Sequence, residues 1–230
     1  MLLVLNNKCN FGKEEFKSYI SELESIKTIH KVVIAPTYLN IPAVNIKKMS
    51  LAAQNVSLQG NGQYTGEVSA EQLKSYGVEY CIIGHSERRK YQRENSEEIG
   101  AKLSQLLSKD IVPIFCIGES FPERQQNVYK ETIIKQLDEV LSKFSQEDRK
   151  KVIIAYEPIW SIGTGQIPTV EQIDEVNELI KSKYNTLALY GGSANESNID
   201  ELKKCQNVDG FLLGGLSLNP QKFQEFVNKL

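Results

Sequence analysis

Short apolar runs alternate along the chain with longer stretches in which apolar residues recur every three or four positions. Eight runs stand out, at residues 2–5, 32–35, 55–58, 80–83, 111–117, 152–156, 187–190 and 210–213. Their length and content of β-branched residues predict strands. Between them, KEEFKSYISELESIK puts Phe16, Tyr19, Ile20, Leu23 and Ile26 on one helical face. Ile133, Ile134, Leu137, Val140 and Leu141 form a second such face, and Ile173, Val176, Leu179 and Ile180 a third. An apolar stripe at this spacing predicts helices packed on a core. The charged run QEDRKK before Val152 predicts a solvated helix end and loop, and no linker interrupts the chain.

Eight strands alternating with helices predict βα units and a parallel sheet. In 230 residues, about the length expected for a barrel of eight units, that pattern favours a single-domain (β/α)8 barrel over residues 1–230 rather than an open doubly wound sheet. The polar residues point the same way. Most runs end in glycine together with a chemically active side chain: Asn6 and Lys8 after the first, GHSER after the fourth, CIGES after the fifth, YEP after the sixth, YGGS after the seventh and LGG after the eighth. In a barrel these ends meet on one face, where sites are built.

Composition narrows the function. Apolar residues make up 40% and charged residues 24% of the chain, as in an ordinary globular enzyme. Lys and Arg number 27 against 29 Asp and Glu, with no block of one sign, which argues against nucleic acid or an anionic membrane as partner. No run approaches a membrane span, and the N-terminal apolar run is too short for an export signal. Cys9, Cys81, Cys116 and Cys205 lie far apart without a CxxC pair. Reduced, mostly buried thiols in a cytoplasmic protein are the expectation, with no metal site.

Three groups of residues suggest chemistry. His85 follows a strand and a glycine, with Ser86 placed to cap a helix behind it; the positive end of a helix disfavours a second charge, so a neutral imidazole that donates a hydrogen bond is expected. A structural histidine satisfied by backbone is the alternative. Glu157 precedes Pro158, which biases it to an extended conformation at the barrel mouth, and IWSIGTGQIPT beyond it has the glycines of a closing lid that ends at Thr169, a good helix cap. A salt-bridged Glu and an ordinary long loop are equally compatible with that spacing. The turns YGGSAN and LGGLSL place Gly192, Ser193, Gly214 and Gly215 as a phosphate cradle, with a helix from Leu216 adding its dipole. Lys8 is the basic residue among these strand ends and can offset the charge of a phosphate or an enediolate. A carboxylate base, a neutral donor, a cation and an anion cradle together suit proton abstraction next to the carbonyl of a small phosphate ester.

The stretches NNKCN, AQN, YTGEVS, IIGHSERR, CIGE, AYEPIWSIGTG, YGGS and DGFLLGGLSL, in this order, resemble the triosephosphate isomerase family over nearly the whole chain. The resemblance implies a TIM barrel that interconverts D-glyceraldehyde 3-phosphate and dihydroxyacetone phosphate without cofactor or metal. It implies Glu157 as the base, His85 as the electrophile, and Asn6 and Lys8 as the electrostatic partners. A Glu base paired with a neutral His is a property known for this very family and is carried over from it. Gly163, Ser193, Gly214 and Gly215 would hold phosphate, with Ser86 and a buried Glu87 in support. YTGEVS is similar to the family's interdigitating loop, which implies a homodimer in which Thr65 reaches the partner's site. Asn7 stands where the family commonly has Trp, and Gln166 where Lys is common at the lid hinge. Only 32 residues separate Glu157 from Tyr190, roughly ten fewer than is usual in a barrel of about 250 residues, so the sixth βα unit is expected to be short.

Two other readings compete. A barrel aldolase or phosphate-sugar lyase would use a Schiff-base Lys, for which Lys8 is available, but leaves GHSER and YEPIW without a role. A non-catalytic phosphate-ligand binder would have no need of both Glu157 and His85.

Overall fold

The computed structural model describes residues 1–162, 164 and 166–230. Eight parallel strands, β1 (Leu2–Asn6), β2 (Lys31–Ala35), β3 (Ser50–Ala53), β4 (Tyr80–Ile83), β5 (Val112–Ile117), β6 (Ile153–Tyr156), β7 (Ala188–Tyr190) and β8 (Gly210–Leu213), close into a barrel in chain order. β1 pairs with β2 on one side and with β8 on the other, Leu5 lying opposite Ile34 and Leu213. Side chains alternate across this sheet. Val4, Val33, Ala52, Ile82, Ile114, Cys116, Ala155, Leu189 and Leu212 fill the barrel interior. Leu3, Leu5, Ile34, Ile83, Phe115 and Ile154 pack outward under the helices. The period of two thus supplies two cores from one sheet.

The outer layer holds α1 (Lys13–Ser25), α2 (Ala70–Ser75), α3 (Ser86–Tyr91), α4 (Ser96–Leu107), α5 (Phe121–Gln125), α6 (Tyr129–Leu141), α7 (Gln146–Lys150), α8 (Val170–Tyr184), α9 (Ile199–Leu202) and α10 (Pro220–Lys229). The predicted stripes are the buried faces: Phe16, Tyr19, Ile20 and Leu23 on α1, Ile133, Leu137, Val140 and Leu141 on α6, and Ile173, Val176 and Ile180 on α8. Thr169 caps α8, its hydroxyl accepting from the Gln172 amide while the Gln172 side chain accepts from the Thr169 amide.

Two expectations need correction. The third strand is Ser50–Ala53 and not residues 55–58. Small Ala52 and Ala53 face close neighbours inside the sheet, whereas Asn55 and Ser57 hydrogen-bond elsewhere, Asn55 to Lys102 and the Ser57 amide to the Val68 carbonyl. QEDRKK folds as a helix of its own, α7, because Ser145 accepts from the Asp148 amide and supplies an N-cap. In the sixth unit α8 spans 15 residues, and a short link leads to β7, where Asn185 turns the chain in a left-handed conformation with φ 48°.

Candidate active site

The carboxyl ends of β1, β4, β6, β7 and β8 open on one cleft of about 850 Å³, lined by Asn6, Lys8, His85, Glu157, Ser193, Gly214 and Gly215 among others. Residues far apart in sequence meet here because parallel strands of one barrel all end on the same face.

Glu157 leaves β6 and is 2% exposed. Its amide donates to the Ile117 carbonyl at 2.7 Å, which fixes its backbone to β5. Glycines box it in on both flanks. A Cβ on Gly118 would lie 1.7 Å from the Glu157 carbonyl oxygen, and one on Gly191 would lie 2.8 Å from Glu157 Cγ. One carboxylate oxygen, Oε1, is 3.0 Å from His85 Nε2, and the other accepts from the Ser86 amide at 3.1 Å. Burial pushes this carboxyl up, but His85, the Ser86 amide and Lys8 together hold it below the ordinary carboxylate value. The buried Cys116 thiol beneath it is pushed well up by burial and by the Glu157 charge, so it is no nucleophile.

Gly84, at φ 65°, makes the turn from β4 into α3 in a conformation that L side chains resist. Ser86 was expected to cap α3, but the cap is His85: its Nδ1 accepts from the Glu87 amide at 3.2 Å. A ring nitrogen that accepts an N–H carries no proton, so this bond favours the tautomer with hydrogen on Nε2, facing Glu157. Burial pushes the imidazole down, while Glu157 and then Glu87 pull it up, with a net upward shift. That direction opposes the expectation of a neutral ring; the Nδ1 hydrogen bond supports it. The upward pull depends on Glu157 resting against Nε2, whereas the amide at Nδ1 belongs to the backbone.

Lys8 sits at φ 51°, a strained conformation outside glycine, with its carbonyl held by the Gln54 side chain and its amide by Asn6 Oδ1. Its Nζ meets Glu87 Oε1 at 2.5 Å. Glu87 is not buried as expected: its side chain is 42% exposed, because it stands on the lip of the cleft where Lys8 also meets solvent.

The two glycine turns also depart from expectation in one respect. No α-helix starts at Leu216; Gly215–Leu218 is a single 3-10 turn, and α10 begins only at Pro220, capped by Asn219. Ser193 lines the cleft and its hydroxyl donates to the Ser161 carbonyl at 2.8 Å, tying the seventh strand's turn to the segment that follows β6. Trp160 is anchored there too, its Nε1 donating to the buried Glu119 at 2.8 Å. Gly163 lies outside the described residues. Thr65 is remote from the cleft residues of its own chain and exposed, as is its neighbour Tyr64.

Sequence reasoning passed over Gln54, Gly191 and Arg89. Arg89 adds a second basic group to the cleft and ties its two strands, donating to the Gly84 carbonyl at 2.9 Å and the Cys116 carbonyl at 3.4 Å. Its place in GHSERR, one helical turn after His85, was the available signal. Among the described residues, no group of His, Cys, Asp and Glu side chains converges as a metal site, and no helix is long and apolar enough to cross a membrane.

The family model described as triosephosphate isomerase matches residues 1–230. A triosephosphate isomerase of Mesomycoplasma hyopneumoniae (strain 232) is 38% identical, covering 98% of this chain and 98% of its own. One from Emericella nidulans is also 38% identical over 97% of this chain and 95% of its own. A third, named glycosomal, from Trypanosoma cruzi, is 38% identical over 96% and 94%. With a closed barrel, a carboxylate against a histidine at its mouth, and this likeness along the whole chain, the protein belongs to the triosephosphate isomerase family and is an isomerase.

Proposed function

We propose that the protein interconverts D-glyceraldehyde 3-phosphate and dihydroxyacetone phosphate through an enediolate, with Glu157 as the base and neutral His85 as the electrophile. The observation that carries the assignment of roles is the 3.0 Å contact between Glu157 Oε1 and His85 Nε2 at the closed end of the cleft. This bond engages both the acceptor and the donor that the reaction needs. A bound substrate takes each over: its carbonyl oxygen accepts from Nε2–H, and its carbon-bound hydrogen faces the released carboxylate.

Glu157 then removes the proton from the carbon next to the carbonyl, the C–H pair becomes the C=C bond of the enediolate, and charge gathers on the oxygens. His85 donates to that charge and passes a proton between the two oxygens, while Glu157 returns its proton to the neighbouring carbon. Lys8 and Asn6, at the end of β1, face the same charge. Gly214, Gly215 and Ser193 offer backbone N–H groups to the phosphate, with Gly163 assigned to the same task by the family resemblance. Glu87 and Ser86 support: one pairs with Lys8, the other holds Glu157 ready. The carboxylate, kept ionised by its neighbours despite burial, suits a base working at neutral pH.

A homodimer that uses Thr65, one folded domain over residues 1–230, and a reducing cytoplasmic setting belong to the same reading. The exposed Tyr64 beside Thr65 and the four free cysteines support the first and the last. A coupled assay of the purified protein with glyceraldehyde 3-phosphate tests the function: formation of dihydroxyacetone phosphate is expected, and its absence at high enzyme concentration overturns the assignment.

A further inference from the structure

Behind the turn of Gly214 and Gly215, every polar group of Ser217 is engaged. Its amide donates to the Gly214 carbonyl at 2.9 Å, and its hydroxyl donates to the Asn6 carbonyl at 2.9 Å. Its carbonyl accepts twice, from the Tyr19 hydroxyl at 2.6 Å and from Asn7 Nδ2 at 3.2 Å. Asn7 Nδ2 also donates to the Tyr19 hydroxyl at 3.1 Å. The orientation of the Asn7 amide follows from its partners: the Ser217 carbonyl only accepts, and Tyr19 has spent its single hydrogen on that carbonyl.

Asn7 is fully buried and Tyr19 nearly so, and neither lines the cleft. Asn7 Oδ1 is buried without a partner, which costs stability that an apolar side chain would not. Core packing alone therefore gives no reason for an amide here. What the amide does is tie the chain between Asn6 and Lys8 to the turn that follows β8.

We propose that Asn7 and Tyr19 are positioning residues that hold the Gly214–Ser217 turn, and with it the phosphate-binding N–H groups, in register with Asn6 and Lys8. The proposal rests on the reading of Gly214 and Gly215 as the phosphate cradle. Neither residue touches the reacting carbons, so their removal weakens binding and leaves the proton transfers intact.

Tyr19→Phe deletes one hydroxyl and keeps the ring, which stacks on Phe11 with centroids 4.6 Å apart. Asn7→Ser shortens the second donor and supplies the same reading should Tyr19→Phe not fold. Steady-state kinetics with glyceraldehyde 3-phosphate are measured alongside competitive inhibition by inorganic phosphate, which probes the cradle without the triose. Losing one buried hydrogen bond to the turn is expected to raise KM and the phosphate inhibition constant together, by about three- to tenfold, with kcat within about twofold of the parent. Unchanged constants in folded variants with a lowered melting temperature overturn the proposal and make the network a stabilising one only. Absence of competitive inhibition by phosphate in the unaltered protein overturns the cradle reading itself, a different failure from a variant that binds phosphate like the parent.

Discussion

His85 Nε2 and Glu157 Oε1 stand 3.0 Å apart, and the two residues are held from opposite sides by backbone: the Glu87 amide on His85 Nδ1 and the Ser86 amide on Glu157 Oε2. One short stretch, residues 85–87, therefore sets the tautomer of the ring and parks the carboxylate.

Glu157→Gln preserves a hydrogen-bonding side chain of the same shape but removes the base. Turnover is expected to fall by roughly a thousandfold or more with the melting temperature little changed. Isomerisation near the parent rate by this variant would falsify the role given to Glu157.

The pH response follows from the same pair. Glu157 is held below its ordinary value of 4.5 in the fold, so its contribution to stability is complete above that pH and is lost as pH falls through the depressed value. For His85 the shift is upward, so its contribution is complete below 6.5 and is lost as pH rises through the raised value. In His85→Gln the burial of Glu157 acts without its main counterweight. The Glu157 carboxyl, followed by carbon NMR, should titrate below 4.5 in the parent and higher in the variant; a midpoint that does not move separates the two groups electrostatically.

Gly191 and Gly118 flank Glu157 but should fail differently. A methyl group on Gly191 meets Glu157 Cγ, 2.8 Å away, and displaces the side chain. Gly191→Ala is expected to lower kcat by about a hundredfold, since a shift on the order of 1 Å in a reacting group costs that much. On Gly118 the clash is with the backbone carbonyl of Glu157 at 1.7 Å, so Gly118→Ala should lower the melting temperature first. Equal loss of kcat and stability in both variants would remove the distinction.

The contrast between legible and illegible parts has a physical basis. The helical stripes were readable because one buried face imposes one period, and the strands at residues 80–83 and 210–213 because burial on both faces leaves a short continuous apolar run. The third strand was misplaced because Ala52, in the barrel interior, and Ala53, under the helices, are small and carry little hydropathy, whereas Val56 is a buried apolar residue beyond the strand's end. Glu157, His85 and Lys8 could be brought together from their places at strand ends. That Lys8 spends its charge on Glu87, and that His85 and not Ser86 caps α3, depends on side-chain directions in three dimensions. Gly191 escaped notice because its role is to be absent from the space Glu157 occupies.

Away from the cleft, Lys102 on α4 is buried against Glu94 and donates to Asn55 Oδ1 at 2.8 Å. Lys102→Met removes the nearer cation from Glu94, leaving Arg88 Nε at 3.4 Å from the same carboxylate oxygen, while the other oxygen already lacks a partner. A loss of about 3–5 kcal/mol is expected in denaturant unfolding, the scale for breaking a buried pair from one side. A change below about 1 kcal/mol would mean that Glu94 takes up a proton or water at little cost.

The dimer reading is tested at Thr65. Tyr64 is 47% exposed and Leu39 90% exposed, and a groove of about 720 Å³ lined by Phe11, Thr37, Leu39, Asn40 and Pro42 is available to receive a loop. Phe11, at φ 66°, closes the same short segment that begins with Lys8 at φ 51°, and Asn40 holds its carbonyl at 3.1 Å. On the proposed dimer, a partner loop seated on Phe11 would brace Lys8 in its strained conformation, and subunit contact and catalysis would then be linked through four residues of chain. Thr65→Arg places a long charged side chain where that loop must be buried, and removing an unpaired charge from water is costly. Light scattering should then report monomers, with kcat lowered by about tenfold or more because Lys8 is no longer held, a misplacement effect rather than the loss of a chemical group. An unchanged dimer counts against the interface, and a fully active monomer breaks the link between Phe11 and Lys8.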